Sequence, residues 1–378
     1  MITTANYKLE LRLDGALIGD LRNIAQNLTW SRCRTNYGVD SINFTLNDQI
    51  FDKWCKDRNT TIDQIMKPYA LDCRVIRNGE AVAGGFLATR PSYNPRNASA
   101  NLDFHFDGYL NLLAGVYIHP TAQQTKYANI MVKDWITLAD TRATTAGKAF
   151  GFTYDSVHSD TLAQVQRTFD SYKTVKEAIC QMTDNVDGAG IFDVIFNPDR
   201  SYYITNQLGR EITSWQLYYP PRLAGQSVST ISAEEVQGFA SHVITLGAGE
   251  TSHDPAKSTV ITAESTNSEA VQEFGYVETL TQYSSVSRQS TLEGHNAADL
   301  REASNCFWEP NITLTGSQTP PSPTEEYGLW IGDVFYLENT VDPTGSTSGW
   351  FRIQAIEVAV SAQGAETITP IIEREASA

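Results

Sequence analysis

The sequence predicts a mainly β protein with an α+β centre: two strand-rich ends, the first able to curl into a barrel, around a region where helices enter. Three observations predict it. Runs that alternate with period two cluster at both ends, as in Tyr7-Lys8-Leu9-Glu10-Leu11-Arg12-Leu13 and Gly349-Trp350-Phe351-Arg352-Ile353, the pattern of half-buried strands. Tight-turn signals join such runs, above all Asn78-Gly79 between Cys73-Arg74-Val75-Ile76 and Ala81-Val82-Ala83. Both central residues of that turn need positive φ, which Asn and Gly tolerate. The clearest amphipathic helix lies mid-chain, next to a hairpin.

In the first unit, residues 1–115, Asp14-Gly15 turns the opening strand into Ala16-Leu17-Ile18, and Ser41-Ile42-Asn43-Phe44-Thr45-Leu46 alternates again. Thr61 and Gln64 have the spacing of a capping box, which predicts a short helix over 61–66 ended by Pro68. The Asn78-Gly79 hairpin follows, with Gly84-Gly85 on its return strand expected as a bulge or a point of close backbone approach. Asn101-Leu102-Asp103-Phe104-His105-Phe106 reads as a strand, and 107–113 as a helical turn stopped by Gly115. Closing these strands into a barrel or curled sheet would leave few open edges.

The middle unit, residues 116–235, changes character. Thr174-Val175-Lys176-Glu177 again has capping-box spacing and opens a helix with Val175, Ala178, Ile179 and Met182 on one face, ended at Asp187-Gly188-Ala189-Gly190. Ile191–Phe196, a turn at Asn197-Pro198-Asp199, and Ser201–Ile204 make a hairpin beside it. In the third unit, residues 236–378, His242–Gly247 is a strand, 248–270 an exposed loop, and Ala297–Ala303 helical. Residues 250–305 thus form an inserted segment. Gly316–Pro323 holds three prolines and is irregular. A last hairpin runs from Gly349 to Val360, turns at Gln363-Gly364 and returns through Glu366–Thr369. The two ends share a plan of paired strands around Gly turns without a residue-level repeat.

Composition narrows the function classes. With 378 residues the chain can bury sizeable cores in two or three domains. Lys and Arg number 28 against 44 Asp and Glu, a net charge of −16. That argues against a nucleic-acid binder, which needs a basic stripe; most of the acidic residues are read as keeping the protein soluble. Five widely spaced cysteines (Cys33, Cys55, Cys73, Cys180, Cys306) form no C-x-x-C pair, as expected for free thiols in a reducing compartment. No signal peptide and no membrane-spanning run is found, so the sequons at Asn27, Asn43, Asn59, Asn97 and Asn311 are read as chance matches.

No chemistry-bearing motif stands out. The histidines (His105, His119, His158, His242, His253, His295) are scattered, without the i, i+4 spacing of a helical zinc site. No nucleophile elbow, P-loop or dinucleotide fingerprint is present. The carboxylate pairs Glu234-Glu235 and Glu325-Glu326 stand in polar surroundings that would leave their pKa values ordinary, whereas a general acid needs a raised one. The cluster Trp215-Gln216-Leu217-Tyr218-Tyr219-Pro220-Pro221 could form a sugar platform, but is read rather as core or interface anchor. The chain is therefore expected not to be an enzyme: no catalytic, cofactor-binding or metal-binding residue is assigned, and no cofactor.

Three blocks resemble phage tail hub proteins, the family of central baseplate or tail-associated proteins. The first is Trp30 with Ile42–Leu46, then Arg74–Gly85 and Asp107–Leu113; the second is Phe274–Glu278 with Thr291–Leu300; the third is Ile331–Leu337, Phe351-Arg352-Ile353 and the terminal hairpin. The resemblance implies two tail-tube-like β-barrel domains plus a central α+β domain. It implies a homotrimer whose six barrels make a pseudo-sixfold ring, adapting the sixfold tail tube to a threefold tip. The expected partners are further copies of the chain, distal tail and tube ring proteins, the tape-measure protein, and tail tip or fibre proteins. DNA would be met only in transit during genome ejection, through an acidic channel that does not hold phosphates. The expected location is the virion tail tip, assembled in the host cytoplasm. Longer relatives append a peptidase or sugar-binding segment; with this sequence ending at Ala378, lysis or receptor binding is expected from another chain. The alternatives are a receptor- or cell-wall-carbohydrate-binding tip protein, or a cell-wall-degrading tail enzyme.

Overall fold

The computed structural model describes residues 4–96, 99–169, 171–183, 192–222, 226–235, 239–249, 259–284, 286–304, 308–342 and 347–375. The Asn78-Gly79 turn is as expected. Strands Leu71–Arg77 and Glu80–Leu87 meet at Arg77 and Glu80, with φ of 50° at Asn78 and 91° at Gly79. The bulge, however, lies at Val82, where the register steps from Val75–Ala83 to Ile76–Ala81. Gly84 and Gly85 are the close-approach points. A Cβ on Gly84 would stand 2.6 Å from the Pro198 Cα, and one on Gly85 2.6 Å from the Asp107 carbonyl oxygen.

Seven strands of the first half follow in the order Ala16–Asp20, Tyr7–Leu13, Leu71–Arg77, Glu80–Leu87, Ser99–Asp107, Ser41–Asn47, Gln26–Cys33. The last of these pairs with Gly349–Val360, which begins a second set. That set runs through Val334–Asn339, Leu217–Tyr219, Gln226–Glu235, Trp308–Thr315 and Glu366–Arg374, and the last strand pairs back onto Gly349–Val360. These six strands close a β-barrel, and with the remaining sheets and helices the fold is mixed α+β. The first-half strands end in a join to that ring. Among the described residues Ala16–Asp20 pairs only with Tyr7–Leu13. Leu217–Tyr219 and Gln226–Glu235, read from sequence on the middle side of residue 235, pair inside the ring.

One apolar core runs through both sets, from Leu9, Trp30, Phe44 and Phe104 to Leu217, Phe335, Ile353 and Val358. Trp30 is fully buried, its ring 6.1 Å from Trp330. A second core serves the middle unit and reaches into the first half: with Met131, Trp135, Ile179 and Phe196 it includes Phe86, Tyr109 and Leu113. Much of it comes from helix Ala128–Thr145, which the sequence reading missed. Also missed was helix Asp48–Lys56, whose first turn is capped by the Asn47 side chain accepting from the Ile50 N–H. The two capping boxes are present, at Thr61 with Gln64 and at Thr174 with Glu177. Residues 187–190, expected to end the second helix, lie outside the described residues.

The expected exposed loop over 248–270 is corrected in its second part. Thr262–Thr266 is a strand and Ser268–Phe274 a helix capped by Asn267. With His242–Leu246 and Glu278–Gln282 the strand forms a separate three-stranded sheet covered by helix Gln289–Ala303. The Gly316–Pro323 stretch is irregular as expected, yet Thr319 to Ser322 is buried. Cys33, Cys55, Cys73 and Cys180 are free thiols. Burial pushes the Cys33 thiol up to about 12 and the Cys55 thiol to about 11. Among the described residues no helix is long and apolar enough to cross a membrane.

Candidate functional site: a junction on a shared strand

Strand Gly349–Val360 has more neighbours than one strand can pair along its full length, and it divides them. Its first residues, Gly349 to Arg352, pair with Val334–Asn339 of the ring; from Ala355 to Val360 the same edge pairs with Leu28 to Cys33 of the first half. Its other edge pairs with Glu366–Arg374 from Phe351 to Val360, with a register shift between Ile353 and Ala355. Gln354 is the residue left over. A bulge bends its strand and raises the local twist, so the change of partner occurs where the backbone turns.

Three units meet at that bulge. The Arg34 amide donates to the Gln354 carbonyl at 2.8 Å, and its guanidinium Nη1 to the Gln354 side-chain oxygen at 2.8 Å. Nε and Nη2 of the same guanidinium reach Oδ2 of Asp193, in the middle unit, at 3.0 and 2.8 Å. Asp193 also accepts from the Thr35 N–H at 3.1 Å. Burial raises the Asp193 pKa, with the Arg34 charge opposing the rise. Such a planar, forked donor suits bidentate recognition.

Similar contacts flank the junction. Arg32 bridges Asp40 at 2.7 Å and the Phe196 carbonyl at 2.9 Å. Asp72, on the hairpin strand, accepts from Arg200 Nε at 3.1 Å and Nη2 at 2.8 Å, beside the turn where Pro198 presses on Gly84. Burial raises the Asp72 pKa and Arg200 pulls the other way. On the ring side, Arg77 donates to Glu366 at 2.6 and 3.1 Å, pairs with Glu325, and shares Glu366 with the Tyr7 hydroxyl. Burial works against the Arg77 charge, but Glu366 and Glu325 outweigh it and its pKa rises; burial, then Glu366, raises that of Tyr7.

The sequence candidates fall into place around this framework. The Glu325 carboxylate is taken by Arg77, and the Glu326 carbonyl accepts from the Trp215 indole at 3.2 Å. Glu234 and Glu235 occupy successive positions of a ring strand, and their side chains lie outside the described residues. Within 215–221, Leu217 is fully buried, Trp215 and Tyr219 pack on the core, and Arg222 covers the Tyr218 ring at 4.3 Å. His105 and His242 sit in strands and bond Asn43 with Asp107, and Thr266, respectively. His253 and Cys306 lie outside the described residues. No group of three potential metal ligands gathers among the described residues. Sequence reasoning did not find Arg34, Asp193 or Gln354, whose partners stand 159 and 320 residues from Arg34.

No protein-family model matches the chain, and no curated protein matches it. Solved structures do. The 43 kDa tail protein of prophage MuSo2 from Shewanella oneidensis superposes with a TM-score of 0.64 at 11% identity, over 98% of each chain. The fold is one shared with phage tail proteins. A tail protein from Neisseria meningitidis follows at 0.61 and 13% identity, over 97% of each chain. A prophage tail protein from Listeria monocytogenes gives 0.57 and 12%, over 98% of this chain and 95% of that one. At such identities the likeness is one of fold, and it runs the length of both chains.

Proposed function

We propose that the protein is a structural component of a phage tail, acting as a hub at the tail tip and not as an enzyme. The observation that carries the reading is the sharing of one strand and one core between the closed ring and the first-half sheet, in a fold common to phage tail proteins over nearly the whole chain. A tail adaptor must hold two tube-like units in fixed relation, and fusion through a strand does this without a flexible linker. On this reading the first-half strands, curled beside the ring, act as one tube-like unit. The ring, with 239–304 inserted, is the other. The middle unit stands alongside, held by the buried arginine pairs.

Three copies would then present six tube-like units, matching a sixfold tube on one side and a threefold tip on the other. The channel would pass the tape-measure protein and then DNA, and the net charge of −16 suits a lining that repels phosphate. Its neighbours would be distal tail and tube ring proteins and tip or fibre proteins, within the virion. Analytical ultracentrifugation of the purified chain, with negative-stain microscopy, tests this reading. A trimer with a central hole is expected. A stable monomer across the micromolar range, with no ring in the virion, would overturn it.

A further inference from the structure

A cavity of about 330 Å³ lies where the three units meet. The hairpin strand lends it Val82, the middle unit Ile195, and the ring side Trp330 and Ile331. Val82, Ile195 and Ile331 are buried, whereas Glu80, Ala81 and Arg210 are exposed. The cavity thus has an apolar floor and a mouth open to solvent. Its volume is that of about ten waters and falls at the lower end of small-molecule sites, about 300–1,000 Å³.

One charged group on this surface is incompletely used. Arg32 lines the cavity and is 3% exposed. Both its hydrogen bonds are made by Nη1, to Asp40 at 2.7 Å and to the Phe196 carbonyl at 2.9 Å. Neither Asp40 nor Phe196 lines the cavity, and Nε has no partner among the described residues. Nε and Nη2 form the edge of a guanidinium that takes two oxygens at once. A buried N–H without an acceptor is destabilising, so an unmet demand for oxygen stands beside apolar walls.

The carboxylates on the same surface are already engaged. Asp333 accepts from the Arg210 amide at 2.8 Å, its guanidinium at 2.6 Å and the Trp330 amide at 2.9 Å. Glu80, at the mouth, accepts from the Thr324 hydroxyl at 3.3 Å. A cation would find these acids taken, and a purely apolar body would leave Nε unmet. An inorganic anion would leave the apolar walls unfilled.

We propose that this cavity binds a small organic carboxylate, with its two oxygens on Nε and Nη2 of Arg32 and its apolar body against Val82, Ile195 and Trp330. The walls come from three units of one chain, so the occupant ties them together. The site goes beyond the ring reading, which neither uses the cavity nor depends on it.

Isothermal titration calorimetry of the full chain tests this with three probes: naphthoate, its neutral counterpart naphthamide, and inorganic phosphate. Naphthoate is expected to bind at least tenfold tighter than either control. With naphthoate bound, hydrogen exchange should slow at 81–82, 195–197 and 208–210 together. Arg32→Lys keeps a cation opposite Asp40 but loses the forked edge, and is expected to weaken binding tenfold or more. Should that variant fold poorly, Ala81→Trp at the exposed mouth tests access instead, and the same loss is expected. No naphthoate binding at millimolar concentration would mean that water alone fills the cavity and would overturn the proposal. So would equal binding of naphthoate and either control, slowed exchange confined to other segments, or unaltered binding by a folded Arg32→Lys variant.

Discussion

Where the first half meets the closed ring, it does so through backbone and apolar surface. Leu28 to Cys33 pair with Ala355 to Val360, and Trp30 and Val358, opposite one another in that ladder, are both fully buried. Where it meets the middle unit, buried charge is added to apolar contact: Arg34 with Asp193, Arg32 with the Phe196 carbonyl, and Asp72 with Arg200, beside Phe86 and Leu113. The middle unit's core draws Phe86, Tyr109, Leu112 and Leu113 from the first half, and Ile195 of the middle unit packs in the first core. The difference teaches what each join can do. A shared core makes two sheets unfold as one body, because neither can open without exposing the other's apolar face. Ion pairs where two cores touch set an orientation, and they are costly to break singly since the surviving charge stays buried.

The contrast can be broken from either side. Val358→Asp would place an unpaired carboxylate in the shared core and is expected to cost more than about 4 kcal/mol, the range reached when buried charge is left unpaired. Both sheets should lose protection together, read by hydrogen exchange across 28–33 and 366–374. Asp193→Ala leaves Arg34 buried without its carboxylate and is expected to cost about 3–5 kcal/mol in denaturant melts. Its exchange signature should be local, with amides in 128–145 and 175–183 opening while 355–360 stay protected. Adding Arg34→Met should restore much of the loss, because an apolar pair can replace a buried ionic one. If the Asp193→Ala variant instead opens 355–360 equally, the two joins are not distinct.

A smaller effect sharpens the geometry. Gly84→Ala sets a methyl within 2.6 Å of the Pro198 backbone; overpacking of this kind costs about 1–3 kcal/mol, and thermal melts should show the middle unit loosening first. The smallest effect is in pH. The Thr174 N–H and hydroxyl hold the Glu177 carboxyl below its ordinary value. Its stabilisation is therefore present above the unfolded pKa of about 4.3 and lost as pH falls through the folded value. The gap between wild type and Glu177→Gln, about 1 kcal/mol or less for a cap, should close on acidification.

Local chemistry was legible wherever a few adjacent residues decide the backbone. Asn78-Gly79 and both capping boxes were read correctly for that reason. The helix Ala128–Thr145 carried a readable signal, the 3–4 spacing of Ala128, Met131, Val132, Trp135, Ile136 and Ala139. It was hidden because no side chain caps its start at Tyr127 and a strand runs directly into it. The strand Thr262–Thr266 was hidden by composition, since Thr, Ser and Glu on a half-open sheet read as loop. Gly84-Gly85 was legible as a special place, but whether as bulge or as contact depended on Pro198 and Asp107.

By itself the sequence determined the elements whose free energy is settled within a turn or a cap: the tight hairpins, the two helices opened by capping boxes, the β-rich ends and the acidic balance. Only the tertiary structure decided which strand closes the ring, where Gln354 lets one strand serve two sheets, and which carboxylates the buried arginines claim. Those choices join residues hundreds of positions apart. They are made by competition among many possible pairings for the same edges, cores and charges, a competition that no local stretch of chain contains.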